Sequence, residues 1–204
     1  MISYSRSLRN IRKVADQATP EEVLEGKFWY PQAYQDCLRV AEEYEVPVEL
    51  VVDIISVTSP TIRWERNITL SGAMLKTHRE GRLTEFIGDG YQRNIEKAKE
   101  MIWRFFEFGE WGGILSGPKV TSFANCILHY SRPQLPVVDV RAFSIAAGKR
   151  YTVQTMPSVN SNRLWIIRRA FTEVAESRGF LPQELQAITW LTWRRLVAEK
   201  GEKI

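Results

Sequence analysis

Two cysteines and two histidines in 204 residues leave little material for metal or redox chemistry. Cys37 and Cys126 lie far apart in segments of helical spacing, so neither a disulfide framework nor a four-cysteine iron–sulfur cluster is available. A reducing compartment is the expected setting. His78 and His129 each lack a second ligand at metal-site spacing, so no metal and no cofactor is expected. No run of about 18 apolar residues occurs, and the basic stretch Met1 to Lys13 is not followed by an apolar one. Neither a membrane span nor a secretory leader is expected, and the protein reads as soluble and cytoplasmic. Internal repeats, low-complexity tracts and runs of period-two alternation bounded by hairpin signals are also missing.

What remains is helical. Ala33, Cys37, Val40, Ala41 and Tyr44 recur at three and four, as do Ile95, Ala98, Ile102 and Phe105, and then Leu164, Ile167, Phe171 and Val174. Each series is the apolar stripe of an amphipathic helix, and a nearly all-α chain of about ten short helices is predicted. Helix starts are expected at Pro20, Pro31, Pro47, Pro60, Pro118 and Pro182, and breaks at Gly81, Gly88 to Gly90, Gly109 to Gly117 and Thr152 to Asn162. A hydrophobic fraction of 44% supports a substantial core. The formal charge of +4 suits a polyanionic partner without requiring one.

Four segments carry a recognisable order. Leu50 to Arg63 (LVVDIISVTSPTIR) is an apolar helix ending in small polar residues, followed by a helix with Trp64 and Asn67. Gly90-Tyr91 then leads into Asn94 to Lys99 (NIEKAK). Ile114 to Val120 (ILSGPKV) opens another helix, and twenty residues after Lys119 stands Val137-Val138-Asp139-Val140-Arg141. This order resembles the helix-hairpin-helix DNA glycosylase superfamily over roughly Val48 to Gly148. The flanks, Phe28 to Pro31 and Gln186 to Trp190, resemble a poorly characterised set of bacterial and phage proteins. The resemblance implies an all-α, glycosylase-like unit over 1–204 in two packed lobes. Residues 48–148 would carry the motifs, while 1–47 and 149–204 would form the second lobe. The hairpin departs from the family pattern, with Leu115 at the first glycine of Gly-apolar-Gly; Gly112 and Gly113 just upstream offer a shifted turn.

The same resemblance assigns roles. Asp139 would be the catalytic carboxylate, stabilising positive charge that develops on the sugar as an N-glycosidic bond breaks. Its position at a helix start gives it the alternative, purely structural role of N-cap, and the two roles are compatible. Lys119 would be its partner, attacking the sugar C1′ as a nucleophile that leads to strand cleavage. Otherwise it is a phosphate contact or a solvated lysine. Tyr30, Thr58, Ser59, Trp64, Asn67 and Trp29 would line the base pocket, aromatics stacking on a flipped base and hydroxyls and the amide reading its edge. Packing in the core is the alternative for Trp29 and Trp64. Gly117, Lys149, Arg150 and Arg141 would meet DNA phosphates.

The expected activity is therefore a DNA glycosylase that excises a damaged or modified base, a phage-modified base included, with AP-lyase chemistry as an option. DNA with a flipped base is the partner, and no protein partner is indicated. Two alternatives stay open: an enzyme that hypermodifies bases on the same fold, and a non-catalytic DNA-binding module. The last segment, Leu181 to Glu199, sets Trp190 and Trp193 beside Arg194 and Arg195; docking on the core is the first expectation, and a nucleic-acid face the second.

Overall fold

A computed structural model describes residues 2–201. Among them the secondary structure is helical throughout: α1 (Tyr4–Ala15), α2 (Pro20–Tyr44), α3 (Val48–Thr58), α4 (Trp64–Arg79), α5 (Gln92–Phe108), α6 (Pro118–Leu128), α7 (Val140–Ala147), α8 (Ser161–Glu176) and α9 (Pro182–Glu199). A single 3-10 turn at Leu83–Glu85 joins α4 to α5. No strand occurs among the described residues, and no helix is long and apolar enough to cross a membrane.

Two of the expected helix starts are absent. Pro31 lies inside α2, which runs on for 25 residues. The ring denies the helix one hydrogen bond, to the carbonyl of Lys27, but a long helix with both ends packed absorbs that loss. Pro60 belongs to the turn after α3, and α4 begins at Trp64. That turn holds Thr61 at φ 72°. A β-branched residue in the left-handed region costs about 1–2 kcal/mol.

The chain forms two compact units, 32–128 and the terminal segments 1–31 with 129–204. The boundaries expected at 47/48 and 148/149 thus fall at 31/32 and 128/129, and Asp139 belongs with the termini. The first boundary coincides with Pro31, the position in α2 where the hydrogen-bond ladder is already interrupted.

In the central unit α3 is the buried axis. Leu50, Val51, Val52, Ile54 and Ile55 are all fully buried, and α4, α5 and α6 pack around them. An eleven-residue helix that is apolar on all but the side of Glu49 and Asp53 requires neighbours around most of its surface, which is why the short α6 and the long α5 both turn their stripes toward it. Ile95, Ala98 and Ile102 supply the α5 stripe and are fully buried.

In the terminal unit α1, α7, α8 and α9 enclose a core built on Ile11, Phe143, Ile167, Phe171, Val174 and Leu185. Complete burial of each large side chain stabilises by about 1.5–3 kcal/mol. The first half of α2 approaches α9 at Gly26, where a methyl group would come within 2.7 Å of the Ile188 backbone. Only glycine permits that approach.

One carboxylate ties three segments of this unit together. Thr19 and Glu22 form a capping box at the start of α2: the Thr19 hydroxyl accepts from the Glu22 amide (3.3 Å), and Glu22 Oε2 accepts from the Thr19 amide (3.0 Å). Glu22 also receives Arg195 Nε at 2.8 Å and the Thr192 hydroxyl at 3.0 Å from α9. Arg195 Nη2 continues to the Gln17 carbonyl at 2.6 Å. Burial raises the carboxyl pKa, but the bonds from Arg195, Thr19 and Thr192 outweigh it and the net shift is downward.

A group whose folded pKa is depressed gives stability that is present above its unfolded value and is lost as pH falls through the folded one. Thermal melts should therefore show stability declining on acidification below the ordinary carboxylate range, with a smaller decline for Glu22→Gln. At neutral pH Glu22→Gln is expected to cost about 1–3 kcal/mol, because Arg195 loses its charged acceptor.

Candidate functional site

Asp139 is the N-cap of α7. Its Oδ1 accepts from the backbone amides of Arg141 (3.0 Å) and Ala142 (2.8 Å), two of the donors that a helix start leaves without intrahelical partners. Oδ2 takes no part in the cap and lies 3.9 Å from Arg141 Nη1, with the side chain 17% exposed. One oxygen is thus spent on fold and the other is left beside a cation.

The approach to Asp139 is fixed from α9. Gln183 is fully buried; its Nε2 donates to the carbonyls of Tyr130 (3.1 Å) and Arg132 (2.8 Å), and its Oε1 accepts from the Gln134 amide (3.0 Å). Only one orientation of the amide serves all three partners. Further along, Arg168 Nε donates to the Pro136 carbonyl at 3.4 Å, and Val137 and Val138 are buried. The loop entering α7 therefore has little freedom, and Asp139 with it. Gln183 was not singled out from the sequence; a buried glutamine in an amphipathic helix has no pattern that distinguishes it from a surface one.

Beyond Asp139 a cationic and aromatic rim continues on α9. Arg141 lies over the Trp190 ring at 5.2 Å, and Arg194 over the same ring at 4.6 Å. Trp190 is half-buried and Arg194 exposed. The C-terminal helix thus divides the two roles expected of it: Trp193 packs against the core and Arg195 is bound to Glu22, whereas Trp190 and Arg194 join the surroundings of Asp139 through Arg141. Lys149 and Arg150 are exposed just after α7, with Lys149 5.5 Å over the Tyr151 ring.

Lys119 is carried by the central unit, exposed in the first turn of α6. It follows a hairpin, 109–117, that α5 enters and α6 leaves. Gly113 (φ 82°) and Gly117 (φ 93°) hold the positive φ that the turn requires, and Leu115 sits half-buried between them. Two bonds secure the hairpin. The Trp111 indole N–H donates to Asp53 Oδ2 on α3 at 2.8 Å, and Lys97 Nζ on α5 donates to the Ser116 hydroxyl at 2.8 Å. Burial raises the Asp53 pKa, against the lowering effect of the Trp111 bond.

The expected base-pocket residues are placed differently. Thr58 and Asn67 are buried and meet each other: Thr58 Oγ1 lies 2.7 Å from both Asn67 Oδ1 and the Ile54 carbonyl, and Asn67 Nδ2 donates to the Ile55 carbonyl at 2.7 Å. The hydroxyl and amide assigned to a base edge are instead occupied in joining α3 to α4. Tyr30 is likewise buried, its hydroxyl donating to Gln186 Oε1 at 3.0 Å. Ser59 is half-buried and donates back to the Ser56 carbonyl at 3.0 Å. Trp64 is half-buried; its indole N–H donates to Asp36 Oδ2 at 2.8 Å and its ring meets Phe123 edge-on. Trp29 is half-buried against Tyr30, ring centroids 4.8 Å apart. Trp29 and Tyr30 lie in the terminal unit, and Thr58, Ser59, Trp64 and Asn67 in the central one. Among the described residues no group of His, Cys, Asp and Glu is placed to hold a metal ion. Both cysteines are buried, and burial pushes the Cys37 thiol up to about 12, far from a reactive thiolate.

Gln183→Leu should cost about 1–3 kcal/mol in urea denaturation, since it removes the side-chain partner of three partly buried backbone groups in one step. Gln134→Ala, which keeps the backbone amide that Gln183 uses, should change stability little.

No curated protein and no solved structure matches the chain. A family model does, over residues 1–196, and the chain accordingly belongs to the family of unknown function DUF7178.

Proposed function

We propose that the protein is a DNA glycosylase of the helix-hairpin-helix type, in which Asp139 stabilises the sugar cation and directs water to C1′. The reading is carried by the division of the Asp139 carboxylate, with Oδ1 held by two helix amides and Oδ2 outside the cap, 3.9 Å from the Arg141 guanidinium. A carboxylate fixed in this way cannot rotate away from a developing charge, and preorganised charge is what lowers such a barrier. In the reaction the C1′–N bond breaks, the base departs with the electron pair, and water adds to C1′ as its proton passes to the carboxylate.

The hairpin between α5 and α6 supports the same reading. Its glycines at 113 and 117 hold the positive φ that exposes backbone amides, and Lys119 stands exposed immediately after it. Arg141 beside Asp139, and Arg194 held with it over the Trp190 ring, offer charge for a backbone phosphate. The substrate is a base in DNA, damaged or modified, that leaves the stack to reach the carboxylate. A non-catalytic DNA-binding role has one observation in its favour, that the Asp139 cap is complete without any substrate.

Asp139→Asn separates the two. The amide oxygen still caps α7, so the variant should fold and bind DNA within a few-fold of the parent while losing release of free base from modified-base duplexes. Retained excision would remove Asp139 from the mechanism, and absence of excision by the parent on natural and phage-modified DNA would favour the binding module.

Lys119 decides between water and amine as nucleophile. Amine attack displaces the base and leaves an imine on the opened sugar, which borohydride reduces to a stable protein–DNA adduct. An adduct formed by the parent and lost in Lys119→Ala is expected for a bifunctional enzyme. Free base with an intact abasic strand and no adduct assigns the nucleophile to water activated by Asp139.

A further inference from the structure

The cations of this chain are unevenly placed. Helix α1 contains Arg6, Arg9, Arg12 and Lys13 and no acidic residue, so its charge equals the +4 of the whole chain and the rest is balanced. All four side chains are exposed. Arg12 pairs with Glu173 on α8 at 3.4 Å, whereas Arg9 and Lys13 have no ion pair among the described residues. Arg9 and Lys13 stand at i and i+4 on one ridge, with Arg6 and Arg12 each three residues from Arg9. Like charges at these spacings repel by a few tenths of a kcal/mol per pair. The helix thus bears a small standing cost that an anionic partner would reverse.

A basic amphipathic helix fits two such partners, an anionic membrane surface or a polyanion in solution. A membrane helix must offer its apolar side to lipid, but Ile11 is fully buried and Val14 and Ala15 nearly so, inside the core of the terminal unit. Only the charged side is available, which favours a polyanion held by charge alone.

The position of the helix points to which one. Asn10 Nδ2 donates to the Ala146 carbonyl at the end of α7, and Lys149 follows two residues beyond that helix. Helix α1 therefore packs at the C-terminal end of α7, which Lys149 follows, and Asp139 caps the other end. An eight-residue helix separates the two ends by about 12 Å, the span of a few nucleotides along a strand.

We infer that the outer face of α1, Arg9 and Lys13 above all, is a phosphate-binding surface that continues from Lys149 and holds duplex DNA outside the candidate site. The inference rests on the glycosylase reading for the identity of the polyanion. The ligand for the test is an unmodified duplex of about 20 base pairs, titrated against the full chain over a range of salt concentrations by fluorescence anisotropy. Each phosphate contact contributes about 0.9 to the slope of log K against log salt. Arg9→Gln with Lys13→Gln should lower the slope by about two and weaken binding at low salt by tenfold or more, with the melting temperature retained. Arg9→Lys with Lys13→Arg should keep the parent slope, because charge and not fork geometry is used.

An unchanged slope in the glutamine double variant overturns the inference, as does a parent protein that does not bind the duplex. Capture by phosphatidylserine vesicles that is lost in the same variant would overturn it in favour of a membrane surface. Base release is measured on the same preparations. An unchanged slope with excision intact removes the α1 surface alone, and a reduced slope with no excision by the parent removes the glycosylase reading alone.

Discussion

A helix that is apolar over most of its surface has to be surrounded, and most of the central unit follows from surrounding α3. Its apolar residues from Leu50 to Val57 are buried and only the side of Glu49 and Asp53 is left toward solvent, so α4, α5 and α6 are drawn against the rest. The few polar groups it carries then become fixed points. Thr58 and the Ile54 and Ile55 carbonyls bring Asn67 and with it α4. Asp53 brings Trp111, and through Trp111 the hairpin that precedes Lys119. A change at Asp53 would be felt at the hairpin.

The terminal unit is organised by a different constraint, the satisfaction of helix ends and loop backbones by side chains from elsewhere. Glu22 closes the start of α2 and receives α9; Gln183 opens α9 and holds the loop that leads to α7; Asp139 closes the start of α7. Each uses a charged or amide group whose second atom remains available. For Glu22 that atom binds Arg195, for Gln183 it binds the Gln134 amide, and for Asp139 it is the oxygen proposed for chemistry. The residue proposed as catalytic thus does the same structural work as its neighbours and differs in where its spare atom points.

Periodicity made the helices and their buried stripes legible, because burial imposes a repeat of 3.6 whatever the partner. Ala33, Cys37, Val40, Ala41, Ile167, Phe171 and Val174 are buried as their spacing requires. Proline was a poorer guide. Pro20, Pro47, Pro118 and Pro182 stand at helix starts, but Pro31 sits inside one, since packing at both ends of α2 outweighs a single lost hydrogen bond. The cap at Asp139 was legible from a short side chain before an apolar run. The occupants of Thr58, Asn67 and Tyr30 were not, because a hydroxyl facing a base and one facing a neighbouring helix have the same sequence. Which it faces depends on residues nine, twelve or more than a hundred positions away.

The same reasoning explains why α1 escapes a reading by motif. Its apolar side follows the ordinary rule and is consumed by the core. Its outer side has no pattern beyond the lack of an acid, and a lack becomes informative only once the fold has fixed which side is outside. Several exposed cations elsewhere are set beside acids, as Arg66 with Asp89 and Arg104 with Glu100. Along helix α1, Arg12 meets Glu173 from α8, and Asp16 at the helix end is taken by Arg178. A helix stabilised from within by burial can tolerate such repulsion along its surface, since a few tenths of a kcal/mol per pair is small against the several that Ile11 and its neighbours contribute.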